Sequence, residues 1–149
     1  MEIVIDTSVL VGILVPNDHW HTQAVSLGKA IQEREHTPVY FDCVAAEAIS
    51  VIVRRLEEKG LSAEIELLFK KWNDQIPSDA ISWVFPDVPR LYSEIIDLVQ
   101  SSSGSLNFND ALISLACRER DIEAIASFDR DFDQIHWLKR LSLHADITA

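Results

Sequence analysis

The stretch Glu2–Leu10, EIVIDTSVL, decides how this chain is read. Ile3, Val4 and Ile5 are consecutive and β-branched, without the alternation of a half-exposed strand, so they read as a short buried strand. Asp6, Thr7 and Ser8 are helix-starting residues. The strand, Glu2–Asp6, therefore runs directly into a helix over Thr7–Leu14, the opening of a parallel α/β unit.

Working outward, the same alternation recurs. Asp18 is placed to cap a helix reaching Glu35, with Trp20, Ala24, Leu27 and Ile31 on one face. Pro38–Phe41 reads as the second strand. Asp42 then caps a helix that runs to Lys59 and stops at Gly60; AISVIV, Ala48–Val53, has good strand propensity, but the length and the flanking punctuation favour a helix. Leu61, Ile65, Leu68, Trp72 and Ile76 form one stripe of an amphipathic segment ended by Pro77, a core face if buried and a groove for a partner helix if exposed. A third strand is predicted at Ile81–Phe85, a helix capped by Asp87 to Gln100, and a loop at Ser101–Ser105. Asn107 caps the next helix through Arg120. Glu123–Ser127 is the fourth strand, Asp131–Trp137 a helical turn, and Leu141–His144 a last edge strand. Strands alternating with helices predict an α/β fold around a mostly parallel sheet of four to five strands.

With 149 residues, one domain spanning 1–149 is expected. Hydrophobic residues make up 48% and charged residues 25%, which excludes a disordered chain. The apolar run Thr7–Pro16 lies between Asp6 and Asp18 and is too short to span a bilayer, so no membrane partner is expected. The first residues carry acids and no Lys or Arg, unlike a secretory signal. Cys43 and Cys117 sit in apolar helical surroundings, which suits buried thiols in a reducing compartment, the cytoplasm. The net charge of −11 repels nucleic acid at long range, unless bound cations neutralise some of the acids.

The placement of the acids answers that condition. In an open parallel sheet, ligands bind beyond the carboxyl ends of the strands. Asp6 ends the first strand and Asp129 follows the fourth. Asp110 lies in the first turn of its helix, and Glu47 in the first turns of the helix after the second strand. All four belong to one edge of the sheet. Two carboxylates about 5 Å apart repel by roughly 3 kcal/mol at an effective dielectric of about 20; a divalent cation turns that repulsion into binding. Oxygen ligands without Cys or imidazole select Mg²⁺ or Mn²⁺, and such ions serve phosphodiester hydrolysis.

Four segments carry a family resemblance: Ile5-Asp6-Thr7-Ser8-Val9-Leu10, Glu47 within Val44–Ile49, Asn109-Asp110-Ala111-Leu112-Ile113, and Ala126–Phe132 around Asp129. In order and spacing the chain resembles the PIN-domain ribonucleases, and within them the VapC-like toxins. The resemblance implies a three-layer α/β/α fold. It also implies a metal site of Asp6, Glu47, Asp110 and Asp129 supported by Ser8 and Ser127, an RNA substrate cut by Mg²⁺- or Mn²⁺-dependent hydrolysis, a homodimer, and an antitoxin whose tail fills the helical groove beside the acids. Ser127 stands where the family often has Thr, which keeps the hydroxyl. Asp131 and Asp133 are alternatives for the fourth acid.

The remaining polar residues have simpler readings. His19 and His21 flank Trp20 but face different sides of a helix start. Arg54, two turns beyond Glu47, and Arg130, beside Asp129, are candidate RNA contacts; the plain alternative for Arg54 and Arg55 is pairing with Glu57 and Glu58. A haloacid-dehalogenase-type phosphohydrolase needs a second Asp where Ser8 stands. A non-catalytic PIN-fold interaction module remains the other alternative.

Overall fold

The computed structural model describes residues 1–149. The run Glu2–Ile5 forms strand β1, with Ile3, Val4 and Ile5 buried. Helix α1, Thr7–Leu14, follows at once. Then come α2, His21–Glu33, β2, Thr37–Phe41, and α3, Asp42–Glu58, which Gly60 terminates at a φ of 68° that glycine adopts without strain. Helix α4, Ile65–Gln75, leads to β3, Ile81–Ser82, then α5, Val88–Ser101, and α6, Phe108–Glu119. The chain closes with β4, Ala124–Ala126, β5, Lys139–Leu141, and α7, His144–Thr148.

The five strands form one wholly parallel sheet in the order β3-β2-β1-β4-β5. The chain builds outward from β1 to β3, then returns to lay β4 on the other side of β1. Val4 therefore pairs with Val39 on one flank and Ile125 on the other. This reversal between β1 and β4 is a topological switch point, where helices diverge and leave a crevice at the strand ends. Helices cover the sheet as an α/β/α sandwich, and forty-two buried apolar residues from both layers make one continuous core. Helix α1 lies tight on α2: a Cβ on Gly12 would stand 2.7 Å from the Ala24 side chain. Of the amphipathic stripe, Leu68, Trp72 and Ile76 are buried in the core, while Leu61 and Ile65 are half-buried. Both cysteines are buried free thiols. No helix is long and apolar enough to cross a membrane.

Several boundaries differ from the sequence reading. The last strand occupies Lys139–Leu141 rather than Leu141–His144, because Asp146 folds back to accept the Ser142 and Leu143 N–H groups and starts α7. The third strand is two residues long, since Phe85–Asp87 turns into a 3₁₀ segment. Three acids taken as caps have other partners. Asp42 is the first residue of α3, and its buried carboxylate accepts N–H groups from Cys43, Val84 and Phe85. Asp87 pairs with Arg120 and Arg90. Asp18 lies three residues before α2, where it accepts the Trp20 N–H and pairs with Arg55. In each case an arginine or a distant backbone segment outcompetes the local helix end.

Candidate active site

Asp6 leaves β1 at the switch point, its backbone N–H held by the Ala126 carbonyl at the end of β4 (3.0 Å). Its carboxylate is nearly buried. Oδ2 accepts two hydroxyls, from Ser127 at 2.7 Å and Ser8 at 3.0 Å. Each hydroxyl also accepts a backbone N–H: Asp129 donates to Ser127 Oγ (3.0 Å) and Phe128 to Ser8 Oγ (3.1 Å). The two serines thus lock the first acid to the loop that carries the fourth.

Asp110 is placed by a local code. Its N–H donates to Asn107 Oδ1 (2.9 Å), and its Oδ2 accepts the Asn107 N–H (3.0 Å), a reciprocal capping box at the start of α6. Glu47 projects from α3, and its Oε2 accepts the Thr7 hydroxyl (3.3 Å). Asp129 Oδ1 accepts the Asp131 N–H (2.9 Å). Four segments remote in sequence, the end of β1, the first turns of α3, the start of α6 and the loop after β4, deliver these carboxylates to one cleft of about 270 Å³, with Thr7, Ser8, Val11, Asp18, Trp20, Val51, Arg55 and Asn107 completing its wall.

The electrostatics match that crowding. Burial pushes the Asp110 carboxyl up to about 7; the Asn107 N–H opposes the shift, and the charges of Asp6, Asp129 and Glu47 add to it. Asp6 is also raised, chiefly by burial, against the pull of the Ser127 and Ser8 hydroxyls and the Thr7 N–H, with Glu47 adding to the rise. These carboxylates carry charge at a cost that a cation removes.

The donor set fits a hard divalent ion. For Glu47, Asp110 and Asp129, one carboxylate oxygen is fixed by a hydroxyl or backbone N–H while the other has no hydrogen-bond partner in the protein. That is the arrangement in which an outer partner orients a ligand and leaves a lone pair free. No cysteine or histidine lines the cleft. The acids do not close into a ready-made cage; the cleft has room for an ion, several waters of about 30 Å³ each, and a phosphate oxygen.

The remaining candidates lie elsewhere. Arg54 is exposed, outside the cleft, and forms no ion pair; its neighbour Arg55 lines the cleft instead, on the row Glu47, Val51, Arg55. Arg130 is exposed and does not line the cleft. Asp133 is taken by Arg140, through two oxygens at 2.8 and 3.1 Å, and Asp131 lies outside the cleft wall. His21 Nδ1 lies 2.8 Å from the Gly12 carbonyl, a structural contact. Thr7, Asn107, Asp18, Arg55 and Trp20 are site residues that the motif reading passed over.

A parallel α/β/α sandwich with clustered acids at its switch point defines a class. The PIN domain family model matches residues 3–138, and the chain belongs to that family. Among solved structures, it is similar to the VapC20 toxin of Mycobacterium tuberculosis, described as cleaving the sarcin–ricin loop. The TM-score is 0.60 and the identity 22%, over 88% of this chain and 92% of that one. No curated protein matches the sequence.

Proposed function

We propose that this chain is an endoribonuclease that hydrolyses RNA phosphodiester bonds with Mg²⁺ or Mn²⁺ at Asp6, Glu47, Asp110 and Asp129. The observation that carries the reading is the convergence of these four carboxylates on one cleft, three of them with one oxygen fixed and one open. A bound ion supplies positive charge that neutralises the acids and polarises the scissile phosphate. Asp6, Asp110, Asp129 and Glu47 are the residues that would hold it. Ser8 and Ser127 keep Asp6 in register with the Asp129 loop. Water adds across the P–O3′ bond, leaving a 5′-phosphate and a 3′-hydroxyl. Where a dehalogenase-type enzyme needs a second acid, Ser8 donates to Asp6, so its hydroxyl serves orientation.

The toxin assignment rests on a second feature. A groove of about 560 Å³, lined in part by Val15, Ile52, Leu56, Leu61 and Leu68, opens beside the acids and shares Asp18 and Arg55 with their cleft. Its apolar wall suits the amphipathic tail of a cognate antitoxin, and the toxin acts as a homodimer in the cytoplasm. The reading is tested by incubating the purified chain with single-stranded RNA and with a sarcin–ricin-type loop, in Mn²⁺ or Mg²⁺. Cleavage that yields 5′-phosphate ends and stops in excess chelator is the expected result. Ion binding by calorimetry without cleavage of any RNA favours the interaction module.

A further inference from the structure

Five carboxylates line the cleft, and Arg55 is the one basic side chain among them. We propose that Arg55, Asp18 and Trp20 form a nucleotide subsite: the guanidinium holds the backbone phosphate next to the scissile one, and the indole takes the face of its unpaired base. The inference rests on the nuclease reading and names how that site grips RNA.

The first argument is charge. RNA brings a phosphate per nucleotide into a wall of acids. An ion among Asp6, Asp110 and Asp129 offsets repulsion at one phosphate only, so the neighbouring phosphate needs its own cation, and the cleft offers only Arg55. The second argument is orientation. Arg55 donates to Asp18 through one Nη, and that is the only hydrogen bond its guanidinium makes within the protein. The Asp18 side chain is 6% exposed and the Arg55 side chain 43%. A near-buried carboxylate anchors one arm of the guanidinium, while the rest of its planar fork stays open for a phosphate.

The third argument is the ring beside it. The other Asp18 oxygen accepts the Trp20 N–H at 3.0 Å, so a single carboxylate sets both residues. Trp20 stacks on Phe128 with centroids 4.6 Å apart and planes 15° from parallel. Phe128 in turn precedes Asp129 and is tied to Ser8. The indole thus stands at a fixed place relative to the acids, yet it is 36% exposed. An exposed, rigidly held aromatic at the wall of a nucleic-acid cleft is a stacking surface. A base within a duplex has no free face to offer, so the subsite selects single strands and loops.

The test uses a labelled oligoribonucleotide spanning a mapped cut, with cleavage in Mn²⁺ and binding by anisotropy in Ca²⁺. Arg55→Ala raises KM about tenfold with kcat nearly kept, and lowers the salt slope of binding by about 0.7; Arg55→Lys restores part of the loss. Arg54→Ala changes neither. Trp20→Ala weakens binding on the order of tenfold. An abasic residue beside the cut weakens the parent protein but adds nothing in Trp20→Ala. Trp20→Phe keeps a ring if the alanine variant fails to fold. Parent-like KM and salt slope in Arg55→Ala, or equal abasic penalties in the parent and Trp20→Ala, overturn the subsite while leaving the nuclease intact. A parent protein that cuts no RNA overturns both.

Discussion

Ser127 Oγ donates to Asp6 Oδ2 across 2.7 Å, a bond between residues 121 positions apart, and accepts the Asp129 N–H on its other side. Ser127 is fully buried, so no water replaces its hydroxyl. Ser127→Ala leaves the Asp129 N–H without an acceptor and removes the stronger of the two hydroxyl contacts on Asp6. Ion affinity should fall about 10- to 100-fold, as for other outer-shell partners. Calorimetric Mn²⁺ titration checks this, and unchanged affinity in a folded variant overturns the positioning role.

Removing the charge of Asp110 separates catalysis from stability. Asp110→Asn keeps the side-chain volume and an oxygen for the Asn107 N–H, so the capping box of α6 survives. Cleavage should drop by more than about 100-fold, beyond the loss typical of an outer partner. Without divalent ions the same variant should melt higher than the parent, because a crowded, buried charge is gone. A variant less stable than the parent in chelator contradicts the account of Asp110 as a costly carboxylate.

How much of this was legible in the sequence follows the range of each interaction. The capping box of Asn107 and Asp110 spans three residues and could be read directly. So could the β1–α1 start, because β-branched residues and helix starters announce themselves locally. Asp42 and Asp18 looked like ordinary helix caps; their partners Val84, Phe85 and Arg55 lie 37 to 43 residues away and leave no local trace. Angular spacing from Glu47 points to Arg54 rather than Arg55. The cleft is lined instead by Glu47, Val51 and Arg55, every fourth residue of α3. The order of the four acidic motifs is legible in the sequence without knowledge of distance. Their shared cleft, and which oxygen of each stays open, belong to the folded molecule alone.

Asp42 provides a stability test outside the acids' cleft. Its carboxylate ties the start of α3 to the segment after β3 through the Val84 and Phe85 N–H groups, at 2.8 and 3.0 Å. Asp42→Ala leaves those donors without an acceptor, and Val84 is fully buried. The cost should be about 2–4 kcal/mol, or roughly 4–16 °C in Tm, with Mn²⁺ affinity kept in the folded fraction. Urea or thermal melts measure it, and a loss below about 0.5 kcal/mol refutes the stapling role.

The raised carboxyls make stability depend on pH and ion together. The folded-state value of Asp110, about 7, lies above its ordinary 3.8, and Asp6 shifts the same way. A group that binds its proton more tightly when folded destabilises the fold above that value, and the penalty fades as pH falls from about 7 toward 3.8. Asp87, Glu119, Asp133 and Asp146 are shifted down by arginine partners or backbone N–H groups. Their contribution is lost only as pH falls below the ordinary carboxylate range, so they leave the interval from about pH 5.5 to 8 undisturbed. In excess chelator, Tm should therefore be higher near pH 5.5 than near pH 8, by a few degrees on the scale of about 2–4 °C per kcal/mol. Relief of the overall negative charge acts in the same direction, and Asp110→Asn separates the two, since the difference should shrink when that carboxyl is gone. Added Mn²⁺ competes with protons for the same oxygens, so its stabilising effect should be larger near pH 8. An ion-induced rise in Tm that is equal at both pH values shows that the ion does not bind at these acids.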